Sequence, residues 1–415
     1  MTEWRLEDAE AHLLSLELFG MRFGLDRMRR LLTALGSPQE RYPAIHVVGT
    51  NGKSSTVRMC AALLEAHGLH TGAFLSPHLT SFAERIRVGD ADLAPDAFGA
   101  AVQRAAAGAA KVDRTLEPGD RVTQFELVTA AALDELARQE VDVAVVEAGL
   151  GGRHDATNVL GAPVVVLTNV GLEHTRWLGP TVIDIAREKL AVVKLTRPPG
   201  DGVTLVLGPV DPEVEVLARE TGARIVRAGG DGVPPEALTG YQRTNFSVAV
   251  AAARAHLGTL DPAKVAAVAA RVTVPGRMQI VGERPLTIYD GAHNPSGVAA
   301  LAAALPEATG GRPLVAVVSI LDDKDAAGML RALAGNTSGA VFTSTTNPRA
   351  LSPATLASLW AQVGGGASDI AADPREAVRR AQELAGPDGA VLATGSIYLV
   401  ADLLAEPGRR RASAL

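Results

Sequence analysis

Short apolar runs alternate with stretches of helical spacing through most of this 415-residue chain. Ala44–Val48 (AIHVV) reads as a buried strand, and Ser54–His67 as the helix after it. Thr71–Leu75, Val141–Glu147 (VDVAVVE) and Pro163–Asn169 (PVVVLTN) are apolar runs of strand length. Leu127–Arg138 and Thr181–Leu195 have helical spacing, with Thr181 placed as an N-cap. Gly202–Leu207 and Ala223–Val226 read as further strands with a helix over Pro212–Glu220 between them. Strands alternating with helices predict parallel sheets covered by helices on both faces.

The pattern breaks near Val281–Pro285 (VGERP) and then restarts. The strands expected after it are Leu286–Tyr289, Leu314–Ser319, Ala340–Thr343 and Ala390–Ala393. The helices are Ser296–Leu305, Asp325–Ala334, Pro353–Val363, Pro374–Ala385 and Ser396–Leu404. Two domains are therefore expected, 1–284 and 285–415, the second of roughly 130 residues and near the usual domain size. Pro198–Gly200 and Gly229–Pro235 are expected to be loops, and Arg409–Arg411 a solvated basic tail.

Length supports the division, because single cores stop growing at about 250–300 residues. Hydrophobic residues make up 47% and charged residues 21%, which excludes a mainly disordered chain. No uncharged apolar run approaches the ~18 residues of a membrane span. The N-terminus is acidic where a secretory signal would be basic, so a cytoplasmic protein without a membrane partner is expected. One cysteine, Cys60, permits no intrachain disulfide and no four-cysteine zinc site. The formal charge of −6 gives no global attraction for nucleic acid, and none is expected as a partner. Of 40 basic residues only six are Lys: Lys53, Lys111, Lys189, Lys194, Lys264 and Lys324. In so Arg-biased a chain, a persisting Lys hints at chemistry that Arg does not perform, since Lys can lose its proton or be acylated.

The sharpest local signal is Gly49-Thr50-Asn51-Gly52-Lys53-Ser54-Ser55, which follows a strand and opens a helix. Glycines there let backbone amides turn toward phosphates at a helix N-terminus. Lys53 would reach the β/γ-phosphates, and the hydroxyl of Ser54 or Ser55 would support Mg²⁺. The full phosphate-loop pattern has a further Gly where Val47 stands, so the match is partial.

Three later residues fall at or past strand ends: Ser76, Glu147 and His174. Ligands of parallel α/β sheets bind outside the carboxyl ends of the strands, the edge that carries the phosphate loop. A hydroxyl, a carboxylate and an imidazole would there converge on one Mg²⁺, although Mg²⁺ prefers oxygen ligands. Taken singly, each also reads as an ordinary turn, surface or loop residue; a Glu ending an apolar strand is the least ordinary. Glu147–Asn158 (EAGLGGRHDATN) packs glycines among charged and amide groups, a loop suited to close approach of a ligand. Lys189 by pattern alone is a solvated helix lysine. In the second half, Asp290-Gly-Ala-His-Asn-Pro295 clusters a carboxylate, an imidazole and an amide at another strand end, and Arg277 in VPGR lies just before the break. His12, His46, His67, His70 and His256 read as structural or surface, and Cys60 as core.

The set GTNGKSS, LSPHL with downstream ERI, EAGLGGRHDATN, NVGLEHTRWLG, IAREK, PGR, DGAHNP and TGS resembles the bacterial folylpolyglutamate synthase/dihydrofolate synthase family, of the Mur ligase superfamily. The resemblance runs in order from about Gly24 to Ser396, nearly the whole chain. It implies an α/β fold with an N-terminal phosphate-loop ATPase domain on a mainly parallel sheet, plus a smaller Rossmann-like C-terminal domain that ligates glutamate. It implies an ATP-dependent ligase that joins L-glutamate to dihydropteroate or a reduced folate through an acyl phosphate. Mg²⁺ and a monovalent cation are the implied ions, and a monomer the expected state.

Residue by residue, the resemblance matches Gly49–Ser55, Asn245, Arg277 and Asp290 to ATP contacts. Ser76, Glu147 and His174 match magnesium ligands, and Lys189 matches a lysine that is carbamylated and so joins the metal site. Thr123, Gln124 and Phe125, with His154 and Asp155 in the Gly152–Asp155 region, match pteroate-binding loops. Arg85, His293 and Ser396 match contacts to glutamate, with Lys53, Lys189 and His293 in the catalytic set. The chain departs from the family pattern at Ser54 (commonly Gly), His154 (commonly apolar) and Gln279 (commonly an acid). Two rivals stand beside this reading. A peptidoglycan-type Mur ligase carries a domain ahead of the phosphate loop, and 48 residues before Gly49 are too few for one. A non-catalytic nucleotide-binding module would need no second α/β domain with its own polar strand ends.

Overall fold

The computed structural model describes residues 3–17, 24–194, 202–229 and 237–406. The expected loop Pro198–Gly200, most of Gly229–Pro235, Leu195 at the expected helix end and the tail Arg409–Arg411 lie outside the described residues. The described residues before 230, with Thr244–Val272, form one compact unit; 237–243, with the described residues from Thr273 on, form a second. Among the described residues no helix is long and apolar enough to cross a membrane.

The first unit holds strands β1 (Ala44–Val48), β2 (Thr71–Phe74), β3 (Ile86–Val88), β4 (Ala91–Asp92), β5 (Val143–Glu147), β6 (Val164–Leu167), β7 (Thr204–Leu207) and β8 (Arg224–Arg227). They form one sheet in the order β4-β3-β2-β5-β1-β6-β7-β8. The pairs from β2 to β8 are parallel, whereas β3 and β4 add an antiparallel edge. Its helices are α1 (Leu6–Leu14), α2 (Asp26–Ala34), α3 (Lys53–Ala66), α4 (Pro95–Asp113), α5 (Gln124–Arg138), α6 (Thr175–Leu178), α7 (Val182–Leu190), α8 (Pro212–Glu220), α9 (Tyr241–Leu257) and α10 (Pro262–Arg271). The first residues of α9, Tyr241–Arg243, group with the second unit. Thr181 caps α7 as expected, accepting from Asp184 N at 3.1 Å. Strands β1, β5 and β6 are buried throughout, which is why they read as unbroken apolar runs. Their register aligns the carboxyl ends: Val47 lies beside Glu147 and Val48 beside Leu167.

The second unit holds β9 (Gln279–Glu283), β10 (Leu286–Tyr289), β11 (Leu314–Val318), β12 (Gly339–Phe342), β13 (Ala367–Ile370) and β14 (Ala390–Thr394), in the order β13-β12-β11-β14-β10-β9. Only β9 runs antiparallel to its neighbour. Helices α11 (Pro295–Thr309), α12 (Ala326–Ala334) and α13 (Pro353–Gln362) bury Leu301, Leu330 and Trp360 in one core. Helices α14 (Pro374–Ala385) and α15 (Ile397–Leu404) bury Val378 and Leu399 in another. Helices on both faces of a largely parallel sheet put its carboxyl edge at the disposal of a ligand. The break read at 284/285 falls in the turn between β9 and β10, while the compact units divide at Val272/Thr273. Strand β9 exposes Ile280 and Val281 and carries no alternation that separates it from a loop.

Candidate active site

The loop between β1 and α3 is shaped by its glycines and fastened to the end of β6. Gly52 has φ +81°, and a Cβ there would run into Asn245 Oδ1; one on Gly49 would run into Thr168. Thr50 N donates to Asn169 O at 3.0 Å, and Asn51 N to Asn169 Oδ1 at 2.9 Å. Thr168 Oγ1 and Asn169 Nδ2 both donate to Asn51 O, at 2.7 and 3.1 Å. Lys53 Nζ donates to the carbonyls of Gly49 and Thr50, each at 3.1 Å. Its ammonium is therefore already folded over the mouth of the loop. Asn245 is buried beside this loop, and its Nδ2 has no hydrogen-bond partner among the described residues.

Glu147 is 1% exposed at the end of β5 and gathers the neighbouring strand ends. Ser54 Oγ donates to its Oε1 at 2.9 Å, and Ser76 N to its Oε2 at 3.1 Å. Ser54 thus puts a hydroxyl on this carboxylate. Ser55 points elsewhere, its Oγ buried and unpartnered. These oxygen donors suit a hard cation such as Mg²⁺. His174 takes a left-handed conformation, φ +51°, and its Nε2 lies 3.9 Å from Glu173 Oε1. Among the described residues no three His, Cys, Asp or Glu side chains converge as a metal site, so Glu147 is the carboxylate on which the expected set would rest.

Lys189 is not a solvated helix lysine. It is 4% exposed, and its Nζ donates to Gly49 O at 2.7 Å. Burial, and then the charge of Lys53, push its pKa down to about 7 against the opposing pull of Glu173 and Asp155. The amine is therefore poised between its charged and neutral forms near neutral pH. Asp155 itself is buried and folds the Gly-rich loop: its Oδ2 accepts from Leu150 N at 2.7 Å and its Oδ1 from Thr157 N at 3.0 Å. Burial raises its pKa.

The other expected pteroate residues divide into internal and outward groups. Thr123 caps α5 and shares its capping box with Glu126, which Arg27 Nε holds at 3.1 Å. Gln124 Nε2 donates to Leu13 O at 2.8 Å. Phe125 is half-buried and packs over Gly149, where a Cβ would come within 2.5 Å of its ring. His154 is exposed. Arg85 is 1% exposed, donates from Nε to His78 Nδ1 at 2.9 Å and lies over the Phe82 ring.

In the second unit, Asp290 directly follows β10 and is 1% exposed. Its Oδ2 accepts the Tyr241 hydroxyl and, at 2.8 Å, Met278 N; its Oδ1 accepts Ala292 N at 2.9 Å. Gln279 accepts from Gly276 N at 2.8 Å, so its amide oxygen closes the turn. Arg277 Nη1 donates to Gly276 O at 2.9 Å. His293 Nδ1 sits 2.8 Å from Gly291 O, which fixes the ring. Ser396, 1% exposed, caps α15 by accepting from Tyr398 N at 3.1 Å. Several of these partners escaped the sequence reading: Thr168 and Asn169, Glu173, Arg27, His78 and Tyr241. Asn169 had a signal, an amide closing an apolar strand; Thr168, Arg27 and Tyr241 act through contacts distant in sequence.

Two family models match the chain: the Mur ligase middle domain over residues 47–279 and the Mur ligase glutamate ligase domain over residues 276–397. A dihydrofolate synthase/folylpolyglutamate synthase of Mycobacterium tuberculosis is 36% identical over 372 residues, covering 80% of this chain and 76% of the relative. The structure of M. tuberculosis folylpolyglutamate synthase complexed with ADP superposes with a TM-score of 0.89 at 32% identity, covering 98% of this chain and 99% of that one. The Yersinia pestis bifunctional folylpolyglutamate synthase/dihydrofolate synthase, complexed with AMPPNP and Mn, superposes with a TM-score of 0.83 at 27% identity over 96% and 97% of the two chains. With both Mur ligase domains matched in order and a relative this similar over most of its length, the chain belongs to the dihydrofolate synthase/folylpolyglutamate synthase family of Mur ligases.

Proposed function

We infer that this chain is an ATP-dependent ligase that joins L-glutamate to the carboxylate of a pteroate or folate. The observation that carries the reading is the meeting of Lys53, Ser54 and Glu147 at the carboxyl edge of the first sheet. In the proposed reaction the γ-phosphoryl group of ATP passes to an oxygen of the acceptor carboxylate, and ADP leaves. The α-amine of glutamate then attacks the acyl carbon, loses a proton, and inorganic phosphate departs with the C–O bond electrons. Lys53 exchanges the carbonyls of Gly49 and Thr50 for phosphate oxygens, where its charge offsets the negative charge of the transferring group. The remaining catalysis is positioning.

A bound Mg²⁺ would neutralise phosphate charge. Ser54, Ser76, Glu147 and His174 are the residues proposed to hold it, with Lys189 joining as a carbamate. Asn245 supports the ATP reading through its buried unpartnered donor beside the loop; Arg277 and Asp290 are proposed nucleotide residues of the second unit. For the pteroate, Phe125 and His154 offer surface, whereas Thr123, Gln124 and Asp155 shape the segments that carry them. His293 and Ser396, and Arg85 on the first unit, are the proposed glutamate residues. The monomeric state and cytoplasmic location, where ATP and glutamate are supplied, belong to the same proposal.

The test is ADP release with Mg²⁺ and either dihydropteroate or a reduced folate, each with and without L-glutamate. Sustained release that needs both acceptor and glutamate is the expected result. ATP turnover indifferent to both, or none at all, would overturn the reading in favour of a nucleotide-binding module.

A further inference from the structure

The peptide unit joining Arg277 to Met278 is gripped at both ends. Gln242 Nε2 donates to the Arg277 carbonyl oxygen at 2.7 Å. Met278 N donates to Asp290 Oδ2 at 2.8 Å, and the same oxygen accepts the Tyr241 hydroxyl. Tyr241 and Gln242 are adjacent at the start of α9, within the second unit. The grip holds a strained segment. Met278 has φ +47°, a left-handed conformation that side-chain-bearing residues rarely keep unless their surroundings impose it. Gly276, at φ +65°, precedes it, and Gly291 N closes the turn by donating to Gly276 O at 2.8 Å. The Arg277 side chain lies across Gly291, where a Cβ would run into Nη1.

We propose that Tyr241 and Gln242 are positioning residues that fix the Arg277–Met278 peptide and so aim the Arg277 guanidinium at ATP. The proposal rests on the reading of Arg277 as a nucleotide contact. A phenol donating to a buried carboxylate makes a charge-assisted hydrogen bond, stronger than a neutral pair. Burial and the neighbouring Asp290 charge hold the Tyr241 phenol well above its usual pKa, so the hydroxyl stays a donor. Without that hydroxyl Asp290 is oriented toward Met278 N only by its bond from Ala292 N. The Met278 end of the peptide is then held less firmly, and Met278 relaxes toward negative φ. Rotation of that peptide swings the base of the Arg277 side chain while leaving the phosphate loop of the first unit untouched.

Tyr241→Phe in the full chain removes the hydroxyl and keeps the ring. The expected result is an increase of about tenfold in KM for ATP, the scale of one lost buried hydrogen bond to a charged group. With it, kcat stays within about twofold, and KM for glutamate and for the folate acceptor does not change. Gln242→Leu moves KM for ATP in the same direction. In an Arg277→Ala background, Tyr241→Phe adds no further loss in kcat/KM for ATP, because the residue through which it acts is gone. Independently of turnover, the Met278 amide exchanges with solvent deuterium faster in Tyr241→Phe. A variant with lowered Tm but unchanged KM for ATP, or a full additional loss in the Arg277→Ala background, would overturn the proposal. If the wild-type chain shows no acceptor-dependent ATP turnover, the functional reading fails by itself. Exchange at Met278 then decides the clamp: unchanged protection in Tyr241→Phe means that Tyr241 does not hold this peptide.

Discussion

Lys189 Nζ donates to the carbonyl oxygen of Gly49 across 2.7 Å, so one buried hydrogen bond joins the last turn of α7 to the phosphate loop. The lysine is held beside a second cation, Lys53, in a setting that lowers its pKa to about 7. A neutral amine is what adds to CO₂, and its carbamate is anionic, a change that Arg cannot undergo. Lys189→Arg is therefore expected to lose most activity in the steady-state ligase assay while remaining folded. Lys189→Ala should recover part of its rate on addition of short carboxylates, which supply the missing oxygens. Full activity in Lys189→Arg would show that the position needs only a cation.

Lys53 is expected to act as a charge rather than as a support for the loop. Its two hydrogen bonds go to carbonyls of a loop already fastened by Thr168 and Asn169. Lys53→Ala should therefore fold normally by circular dichroism and lose about 10²–10³ in kcat, the usual size of one removed electrostatic contact in a transition state. A kcat near that of the parent would place the phosphoryl group elsewhere.

Much of the first unit was legible because β1, β5 and β6 are buried on both faces and read as unbroken apolar runs. The phosphate loop was legible because Gly and Lys sit between such a run and a helix. Helix α4 was missed although its buried positions Phe98, Ala101, Val102, Ala105, Ala109 and Val112 follow helical spacing; alanines on both faces blur the contrast on which the pattern depends. Strands β9 and β13 were missed because most of their residues are exposed. Ser76 and Glu147 stood out by their place at strand ends and Lys53 by the Gly-rich loop, and the structure sets Ser76 N and Ser54 Oγ against Glu147. The burial of Lys189, the internal use of Gln124 and the grip of Tyr241 on Asp290 depend on contacts 49 to 140 residues apart, which no local spacing encodes.

Glu147 accepts Ser54 Oγ from the first turn of α3 and Ser76 N from the segment after β2, which leaves its carboxylate fixed as a preformed oxygen donor. Glu147→Gln keeps the shape but replaces the charge, and a neutral amide is a poorer ligand for a hard cation. The Mg²⁺ concentration giving half-maximal activity should rise at least about tenfold, with a smaller effect in Ser54→Ala, where the carboxylate is kept and one orienting hydroxyl is lost. An unchanged Mg²⁺ titration in Glu147→Gln would remove this residue from the metal site.

His46, on β1 between β5 and β6, supplies a test of the fold through pH. It is fully buried, with Nε2 2.8 Å from Thr157 Oγ1. Burial, aided by the charge of Lys194, lowers its pKa from 6.5 to about 3. The unfolded chain binds a proton at this residue below about pH 6.5 that the folded chain refuses down to about pH 3. Unfolding therefore takes up a proton in that window, and stability falls as pH is lowered through it, by up to about 1.4 kcal/mol per pH unit from this residue. Above the window the residue is neutral in both states and the term vanishes. Carboxylates titrate over part of the same range, so the measurement is a difference. Urea unfolding of the parent and of His46→Gln at pH 7, 6 and 5 should give a steeper loss in the parent, although the variant is less stable at pH 7 because the amide fills the site poorly. Two curves that run parallel from pH 7 to pH 5 would mean that His46 is protonated in the folded chain after all, and that the strand beneath the phosphate loop is open to water.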